Sequence, residues 1–300
     1  MQQSKDISII TPVYKAEKIV AELVAEIIRS IEQETLNYEI ILVEDASPDA
    51  SWKAIQNACA SNSNIKGVRL EKNFGQHAAI QCGLEQCVGD LVFVMDCDLQ
   101  HQPRDFQKFL ESIKRENTDF VVGIHQKRNH SFFKNVIAFI FYKLYGVFIG
   151  ENQVSFGKEL SNFTLLKRNV VDELVLKRRK GAHFLMNLRT IKQNYSVVHI
   201  EHSNRFEGNS SYSFIKQYKH GLEGLGVHTH LGSFNMIFVF FAVLCLGGVF
   251  MINNFLFIPG VIFSFIGLIM LILAYSVRRF NRILENAEPQ QIFRIQEVLN

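Results

Sequence analysis

The stretch VFVMDCDLQHQP, residues 92–103, places four apolar residues directly before two aspartates, Asp96 and Asp98. An apolar run of this kind predicts a buried β-strand. Along an extended chain, side chains at positions i and i+2 project to the same side, so the two carboxylates would lie close together and repel unless a positive charge lies between them. On its own the pattern is also typical of a strand that has reached solvent, so its meaning depends on the surrounding sequence.

Apolar runs alternate with amphipathic segments through the first 124 residues of the chain. We predict strands at 7–14, 38–47, 67–72, 90–96 and 119–124, and helices at about 16–34, 52–60, 77–87 and 104–116. This alternation predicts an α/β fold with a mostly parallel, doubly wound sheet flanked by helices. Ligands of such sheets bind beyond the carboxyl ends of the strands, so Glu44, Asp45, Asp96 and Asp98 are expected to line one crevice.

Several classes of protein fit this sequence poorly. The first strand is not followed by G-x-G-x-x-G, and no G-x-x-x-x-G-K-[ST] motif is present, which disfavours dinucleotide-dependent oxidoreductases and P-loop proteins. The net charge of +3 provides no global basic field for nucleic acid. The five cysteines lack metal-binding spacing and indicate reduced thiols.

Carboxylates in such a crevice suggest how a nucleotide would be bound without a glycine-rich loop. A divalent cation must then lie between the acids and the phosphates, and Mg²⁺ or Mn²⁺ accepts such oxygen ligands. We therefore predict that the two aspartates hold a divalent cation and that the cation holds a diphosphate.

The C-terminal third of the chain has a different character. Residues 234–252 and 255–277 contain no charged side chain, and each segment is long enough to cross a bilayer as a helix. Lysine and arginine flank the outer ends of the pair but not its turn, which predicts a transmembrane hairpin in the inner cell membrane with both termini cytoplasmic. The alternative is a buried helical hairpin in a soluble core.

The predicted organisation is therefore a cytosolic α/β domain, a transmembrane hairpin and a cytosolic tail, over residues 1–230, 231–278 and 279–300. In the tail we expect a short helix after Pro289. Two further segments, 131–150 and 213–230, are predicted either as helices at the membrane interface or as ordinary amphipathic helices. Gly247 and Gly248 would allow the hairpin to pack against another copy of the chain, so a homo-oligomer is possible.

Five motifs occur in a fixed order along the chain: ITPVY (10–14), VEDASPDAS (43–51), RLEKNFGQHAAIQCGL (69–84), VMDCDLQHQP (94–103) and RFEGNSSYS (205–213). Together they resemble the inverting family 2 glycosyltransferases of the GT-A fold. Within that family they resemble the branch that contains dolichol-phosphate mannose synthase and the bacterial polyprenyl-phosphate sugar synthases. The resemblance covers about residues 5–225, and the paired C-terminal helices match the bacterial members.

The resemblance implies a nucleotide-sugar donor and a divalent cation, Mg²⁺ or Mn²⁺. It implies the following donor-binding residues: Pro12, Tyr14, Glu17, Asp45, Asp49, Asn73, Gln76, Asp96, Asp98, Arg205 and Ser210. The implied metal ligands are Asp96, Asp98 and Gln100, and the implied catalytic residues are Asp98 and Arg205. Arg205 belongs to an R-x-x-G-x-S segment that would close over the donor diphosphate, where a guanidinium can contact phosphate oxygens in two places.

The chain departs from the family pattern mainly in the acceptor loop. The family's G-D-F-R segment appears here as Ser161-Asn162-Phe163-Thr164, and Lys158 stands where an aspartate is usual. A polyprenyl phosphate is already anionic near pH 7 and needs no general base, whereas a sugar hydroxyl does. Asn162 and Lys158 therefore favour polyprenyl (undecaprenyl) phosphate as the acceptor, and Glu159 is the third candidate residue of this acceptor loop.

Two alternatives remain open. The first is transfer to a hydroxyl of a lipid-linked saccharide in O-antigen or capsule assembly, in which Glu159 or His183 would have to replace the missing base. The second is a non-catalytic membrane scaffold of the same fold. The intact acids and Arg205 argue against a scaffold, because a like-charge pair that binds nothing has no physical reason to persist.

Overall fold

The apolar runs of the sequence form the strands of one sheet. The computed structural model describes residues 5–34, 36–125, 160–176, 184–189, 191, 193–200 and 292–300. Its strands are β1 (Ile7–Val13), β2 (Tyr38–Glu44), β3 (Ile65–Leu70), β4 (Leu91–Val94), β5 (Phe120–His125), β6 (Leu160–Lys167), β7 (Tyr195–Ile200) and β8 (Ile295–Leu299). Its helices are α1 (Val20–Glu32), α2 (Ser51–Ser61), α3 (Gln76–Gln86), a 3-10 turn at Pro103–Asp105, α4 (Phe106–Arg115), α5 (Arg168–Leu176) and α6 (Phe184–Arg189).

The strand order in the sheet is β7-β5-β6-β4-β1-β2-β3-β8. Strand β1 pairs in parallel with both β2 and β4, and β2 pairs in parallel with β3. The chain thus moves outward from β1 to β3 and then returns to place β4 on the other side of β1. A crevice for ligands lies beyond the carboxyl ends of the strands at such a reversal. The predicted α/β fold with a doubly wound, mostly parallel sheet is confirmed.

Helices cover both faces of this sheet. Alternate residues of a strand face opposite sides, so Ile9 packs into one hydrophobic cluster together with α1, α2 and α4, whereas Ile10 packs into the other with α3, α5 and α6. Phe93 anchors the first cluster, with ring centroids 4.2 Å from Phe106 and 4.8 Å from Phe163. Strands buried on both faces explain why their sequences are continuous apolar runs.

Helix α3 lies unusually close to the sheet, and a glycine permits this approach. A Cβ atom at Gly83 would lie 2.2 Å from Cγ2 of Ile10 on β1. The helix begins just after Gly75, whose φ of +92° is unfavourable for residues with a side chain. These two glycines set the position of the amino-terminal end of α3 near the carboxyl edge of the sheet.

The structure corrects the boundaries of two acid-bearing strands. Strand β2 ends at Glu44 rather than at residue 47, and β4 ends at Val94 rather than at residue 96. Asp96 and Asp98 therefore lie in the turn that follows β4 and not on an extended strand. The prediction that both aspartates lie on the strand is wrong, although their loop still lies at the carboxyl edge.

The tail differs from its prediction as well. Residues 295–299 form β8, which pairs antiparallel with β3 from Gly67 opposite Leu299 to Leu70 opposite Ile295. The expected short helix is absent from the described part of this tail. Pairing satisfies backbone groups of β3 that would otherwise line an edge of the sheet, which is a long-range effect that the tail sequence does not encode locally.

The two predicted spans, 234–252 and 255–277, lie outside the described residues, as do the segments 131–150 and 213–230. Within the part of the chain that the structure describes, none of the helices combines the length and the hydropathy needed to cross a membrane.

Candidate active site

The candidate site lies where the sheet order reverses, beyond the carboxyl ends of β1, β2 and β4. Backbone hydrogen bonds continue past the strand ends and tie the following loops together. The Asp45 N–H donates to the Val13 carbonyl at 3.0 Å, and the Met95 N–H donates to the Ile10 carbonyl at 3.0 Å. The loops that carry the acids are therefore extensions of the sheet, and the start of α3 lies beside them.

Asp96 is half-buried, and two carboxamides donate to one of its oxygens. Gln76 Nε2 lies 2.5 Å from Asp96 Oδ1, and Asn162 Nδ2 lies 3.2 Å from the same atom. Sheet register explains the second contact, since Thr164 pairs with Val94 in antiparallel strands and Asn162 therefore lies opposite Asp96. Residues that are 20 and 66 positions away in sequence thus meet at one carboxylate.

Asp98 and Gln100 complete the predicted metal-binding turn. Asp98 Oδ1 accepts a hydrogen bond of 3.1 Å from the Gln100 backbone N–H, and Leu99 between them has a φ of +55°. The turn thus keeps the half-buried Asp96, Asp98 and Gln100 within one short loop. Among the described residues, no group of three or more His, Cys, Asp or Glu side chains is arranged to hold a metal ion, so the predicted ligand set consists of two carboxylates and one amide.

Cys97, between the two aspartates, packs against the hydrophobic cluster that contains Phe93 and Phe163. Burial, together with the neighbouring charges of Asp96 and Asp98, raises the pKa of the Cys97 thiol to about 12. The thiol is therefore protonated at neutral pH and contributes packing rather than a metal-binding thiolate.

Asp45 was predicted to bind the donor, and the structure shows it holding the loop before α3. Its two carboxylate oxygens accept hydrogen bonds from the backbone N–H groups of Phe74, at 2.7 Å, and Gly75, at 2.8 Å. The Asn73 side chain donates to the Asp45 carbonyl at 3.3 Å. Burial raises the pKa of Asp45, while the hydrogen bonds from Phe74 and Gly75 oppose that increase. Asp45 thereby fixes the start of α3.

Glu17 and Asp49 connect the loops that follow β1 and β2. The Glu17 N–H donates to Asp49 Oδ2 at 3.3 Å, and the Glu17 carboxylate accepts from the Ala50 N–H at 2.9 Å. The hydroxyls of Ser47 and Ser51 each donate to Asp49 Oδ1 at 2.6 Å. Burial alone would raise the pKa of Asp49, but these hydrogen bonds hold it below its usual range. Asp49 is therefore ionised at neutral pH.

The same two serines bind the loop that follows β1, and the sequence argument did not identify them. The Ser47 hydroxyl accepts from the Lys15 N–H at 2.6 Å, and the Ser51 hydroxyl accepts from the Ala16 N–H at 2.9 Å. Lys15 has a φ of +53°, so this loop is held in a left-handed turn. The S-P-D-A-S spacing is a signal for such side-chain-to-backbone turns.

Tyr14 is the exposed aromatic residue of this region. Its side chain is 43% exposed, whereas Pro12 is buried within β1 opposite Val43. The Lys15 ammonium lies 5.6 Å from the centre of the Tyr14 ring. Of the predicted donor-binding residues, Tyr14 thus presents an apolar surface to solvent, while Pro12 lies within the sheet.

Glu44, beside Asp45, is fully buried and bonded on both oxygens. It accepts from the Ser47 N–H and, at 3.2 Å, from Arg69 Nε. Burial raises the pKa of Glu44, and the hydrogen bond from Ser47 and the charge of Arg69 oppose that increase. The expectation that Glu44 lines the crevice is replaced by a structural role, because its partners lie in the loop after β2 and on β3.

Several predicted site residues lie outside the described residues: Lys158, Glu159, His183, Arg205 and Ser210. Their roles in the acceptor loop and at the donor diphosphate remain predictions. Asn162 is the member of the predicted acceptor loop that the structure places at the site.

The doubly wound sheet and the acidic turn at its reversal define an α/β protein of the GT-A type. Residues 8–174, more than half of the chain, match the model of Glycosyl transferase family 2. The chain therefore belongs to glycosyl transferase family 2, and the resemblance found in its motifs is confirmed.

Among curated proteins, the chain is similar to two enzymes named undecaprenyl-phosphate 4-deoxy-4-formamido-L-arabinose transferase. It is 28% identical over 212 residues to that of Aeromonas hydrophila, covering 70% of this chain and 64% of the relative. It is 29% identical over 211 residues to that of Pseudomonas fluorescens, covering 70% and 61%. The match thus spans less than two thirds of the length of either relative.

Solved structures support the fold. A mannosyltransferase from Pyrobaculum calidifontis, in complex with GDP-Man and Mn²⁺, superposes with a TM-score of 0.53 at 14% identity, covering 75% of this chain and 64% of that protein. Glucosyl-3-phosphoglycerate synthase from Mycobacterium tuberculosis gives a TM-score of 0.50 at 15% identity, covering 74% and 79%. At such identities the likeness concerns the fold alone.

Proposed function

We propose that the protein is a membrane-anchored, metal-dependent inverting glycosyltransferase that moves a sugar from a nucleotide-sugar donor to polyprenyl phosphate. Membership of glycosyl transferase family 2 supports the reaction class. The names of the curated relatives support undecaprenyl phosphate as the acceptor. The acidic turn at the reversal of the sheet is the proposed donor site.

The observation that carries the choice of acceptor is the position of Asn162. Its amide nitrogen lies 3.2 Å from Asp96 Oδ1, so this acceptor-loop residue is part of the proposed metal site. A carboxamide does not accept a proton at neutral pH and therefore cannot serve as a general base. An acceptor that arrives as an anion needs no base, and a polyprenyl phosphate meets this requirement.

The residues of the turn fit a divalent cation such as Mg²⁺ or Mn²⁺. Asp96, Asp98 and Gln100 offer oxygen ligands of the type these cations prefer, and one or two carboxylates with substrate phosphates form a usual site. The two amide donors already order the Asp96 carboxylate. When bound, the cation would supply positive charge to stabilise the departing nucleoside diphosphate.

The chain's own residues would bind and orient the donor. The exposed ring of Tyr14 provides a surface for the nucleoside, next to the loop that Asp49 and Glu17 hold in place. Asp45 fixes the loop before α3 beside it. Arg205 and Ser210 are proposed to close over the diphosphate, and a single displacement at the anomeric carbon by the acceptor oxygen would invert its configuration.

The C-terminal strand limits the number of membrane crossings that the proposed hairpin can have. Residues 295–299 lie in the same sheet as residues 7–94. Any membrane crossings between residues 200 and 292 must therefore be even in number, since the chain returns to the side from which it left. Two spans at 234–252 and 255–277, with both termini cytoplasmic, meet this requirement.

The proposal is tested by transfer of radiolabelled sugar from UDP-, GDP- and dTDP-sugars to undecaprenyl phosphate, with the full chain in detergent and Mn²⁺ or Mg²⁺ present. Label is expected in a lipid that releases its sugar in mild acid. Asp98→Asn should abolish this label. Asp172→Asn makes the same chemical change at an exposed position on α5 and should leave it intact.

Two results would contradict the proposal in different ways. Donor binding or hydrolysis without label in the lipid phosphate would direct the search to a saccharide hydroxyl as acceptor, with Glu159 and His183 as candidate bases. Absence of both binding and turnover across the donor panel would favour the non-catalytic scaffold.

A further inference from the structure

We propose that Gln76 and Asn162 are positioning residues for Asp96, and that their carboxamides hold its carboxylate in the orientation in which it meets the cation. This inference rests on the proposed function. It changes the role of Gln76, which the motif resemblance placed among residues that contact the donor.

The position of Gln76 is set by its neighbours in sequence. Phe74 and Gly75 donate their backbone N–H groups to the Asp45 carboxylate at 2.7 and 2.8 Å. Gln76 follows directly as the first residue of α3, and its side chain donates to Asp96 Oδ1 at 2.5 Å. Three consecutive residues thus connect the acid after β2 with the acid after β4.

The position of Asn162 is set by the sheet. Strand β6 pairs antiparallel with β4, which places Asn162 opposite the turn that contains Asp96. Its Nδ2 donates to Asp96 Oδ1 at 3.2 Å. The two donors therefore come from different elements, a helix start and a strand, and they converge on one carboxylate oxygen.

The amide oxygen of Asn162 shows that hydrogen bonds to other neighbours do not explain the orientation of this side chain. Its Oδ1 is buried and has no hydrogen-bond partner among the described residues. Rotation of the amide by half a turn would direct that oxygen at the Asp96 carboxylate, where two acceptors repel. A buried acceptor without a partner is unfavourable. The orientation is thus set by the contact with Asp96.

Two neutral donors suit this task better than charged ones. Amides orient the carboxylate without neutralising it, so its negative charge remains for the cation. Partners that orient a metal ligand affect metal affinity by roughly 10- to 100-fold. Loss of either amide is therefore expected to weaken cation binding although Asp96, Asp98 and Gln100 are all still present.

The test is a titration of the full chain in detergent with Mn²⁺ in the presence of UDP, GDP or dTDP, whichever supports transfer, against a protein-free blank that contains the same nucleotide. Electron paramagnetic resonance reports the loss of the free Mn²⁺ signal. Gln76→Met and Asn162→Leu keep side-chain size but remove the donors, and each should raise the Mn²⁺ dissociation constant by roughly 10- to 100-fold. The controls Gln86→Met, at the other end of α3, and Asn57→Leu, exposed on α2, should bind Mn²⁺ as the wild type does.

A second titration, in an Asp96→Asn background extended to millimolar Mn²⁺, separates positioning from general structural damage. If Gln76 and Asn162 act through the Asp96 carboxylate, Gln76→Met and Asn162→Leu should weaken binding by less than twofold there. An undiminished loss in that background would overturn the inference. Thermal unfolding of each variant checks folding, and Gln76→Ala and Asn162→Ala serve if the larger apolar side chains disturb it.

The remaining outcomes distinguish this inference from the function on which it rests. Wild-type protein that binds Mn²⁺ and transfers sugar, with both variants binding Mn²⁺ like their controls, would overturn the positioning role and leave the glycosyltransferase intact. Wild-type protein that transfers sugar without binding a divalent cation would overturn metal dependence and the positioning role together.

Discussion

Polar networks lie at both ends of the central strands, the end where β1 and β2 begin and the carboxyl edge, but they use carboxylates differently. At the edge where β1 and β2 begin, Glu39 accepts from the Ser8 hydroxyl at 2.5 Å and from the Val88 N–H at 2.7 Å, and Ser8 accepts from the Gly89 N–H at 2.8 Å. The Glu39 carboxylate on β2 thus connects Ser8 on β1 with the loop that contains Val88. The network consists of complementary donors and acceptors, and it stabilises the fold.

At the carboxyl edge several acids lie near one another, whereas the network of Glu39 and Ser8 at the opposite end of the strands uses one. Asp45 and Asp49 each hold a loop, as Glu39 does, but Asp96 and Asp98 follow one another in the turn after β4. Holding like charges close together opposes folding unless a cation reduces their repulsion. The carboxylates held by backbone N–H and hydroxyl groups, Asp45, Asp49 and Glu39, thus fix loops, whereas Asp96 is held by two side-chain amides in the turn that we propose as the metal site.

The largest expected effect concerns the acids of that turn. Chelation of divalent cations with EDTA, or the change Asp98→Asn, should lower sugar transfer by roughly 10²- to 10³-fold, because the departing diphosphate would lose its electrostatic stabilisation. Mn²⁺ or Mg²⁺ should restore the chelated wild type but not the variant. Initial rates of label transfer measure both effects, and a loss below threefold would mean that the turn is not a metal site.

The next effect concerns the approach of α3 to the sheet. Gly83→Ala places a methyl group 2.2 Å from Ile10 Cγ2, so the free energy of unfolding should fall by about 3 kcal/mol. The donor site should weaken too, since α3 carries Gln76. Chemical denaturation measures the loss of stability. In an Ile10→Ala background the added methyl group should be far less harmful, and an equal loss in both backgrounds would show that the contact is not the cause.

A smaller effect is expected at the opposite edge. Ser8→Ala leaves the buried Gly89 N–H without its acceptor, which should cost about 1–2 kcal/mol of stability. Donor affinity should remain unchanged, because the network lies at the amino edge of the sheet. Ser63→Ala, at an exposed position, is the matched control for denaturation. A Ser8→Ala protein of normal stability but reduced donor binding would break the distinction between the two edges.

Sequence reasoning located the scaffold of the site better than its contacts. Unbroken apolar runs identified β1 to β5, because strands buried on both faces leave a strong pattern, and the segments between them identified four helices. Strand β8 was missed, since its pairing with β3 depends on a distant edge. The prediction that Asp96 and Asp98 lie on an extended strand was wrong, because β4 ends two residues earlier than expected.

The contacts among side chains depended on register and burial that no local pattern encodes. Asn162 meets Asp96 only through the pairing of β6 with β4. Asp45 was predicted at the crevice and lies at the carboxyl edge of the sheet, but its hydrogen bonds to the Phe74 and Gly75 N–H groups depend on a loop 29 and 30 residues further along the chain. Residue type and strand order thus indicate which acids lie at the carboxyl edge of the sheet. The structure is needed to distinguish the acids that hold loops from those proposed to bind the cation.

The smallest effect tests that division at Asp49, which anchors loops by means of its charge. Hydrogen bonds from Ser47 and Ser51 hold the pKa of Asp49 below its usual value of 3.8 despite partial burial. A lowered folded-state pKa contributes stability that is fully present above the unfolded-state pKa and is lost as the pH falls through the folded-state value. Asp49→Asn should therefore lose about 1 kcal/mol relative to the wild type at pH 7, and this difference should shrink as the pH falls below 3.8.

Urea denaturation of wild type and Asp49→Asn at a series of pH values measures this difference directly, with the exposed Asp172→Asn as the control for a general change of charge. The control should show no such pH-dependent gap. A gap for Asp49→Asn that stays constant from pH 7 to pH 3 would mean that the amide disturbs the loops by shape and not by charge. Asp49 would then hold its loops through hydrogen-bond geometry alone, as the Ser8 hydroxyl holds the Gly89 N–H.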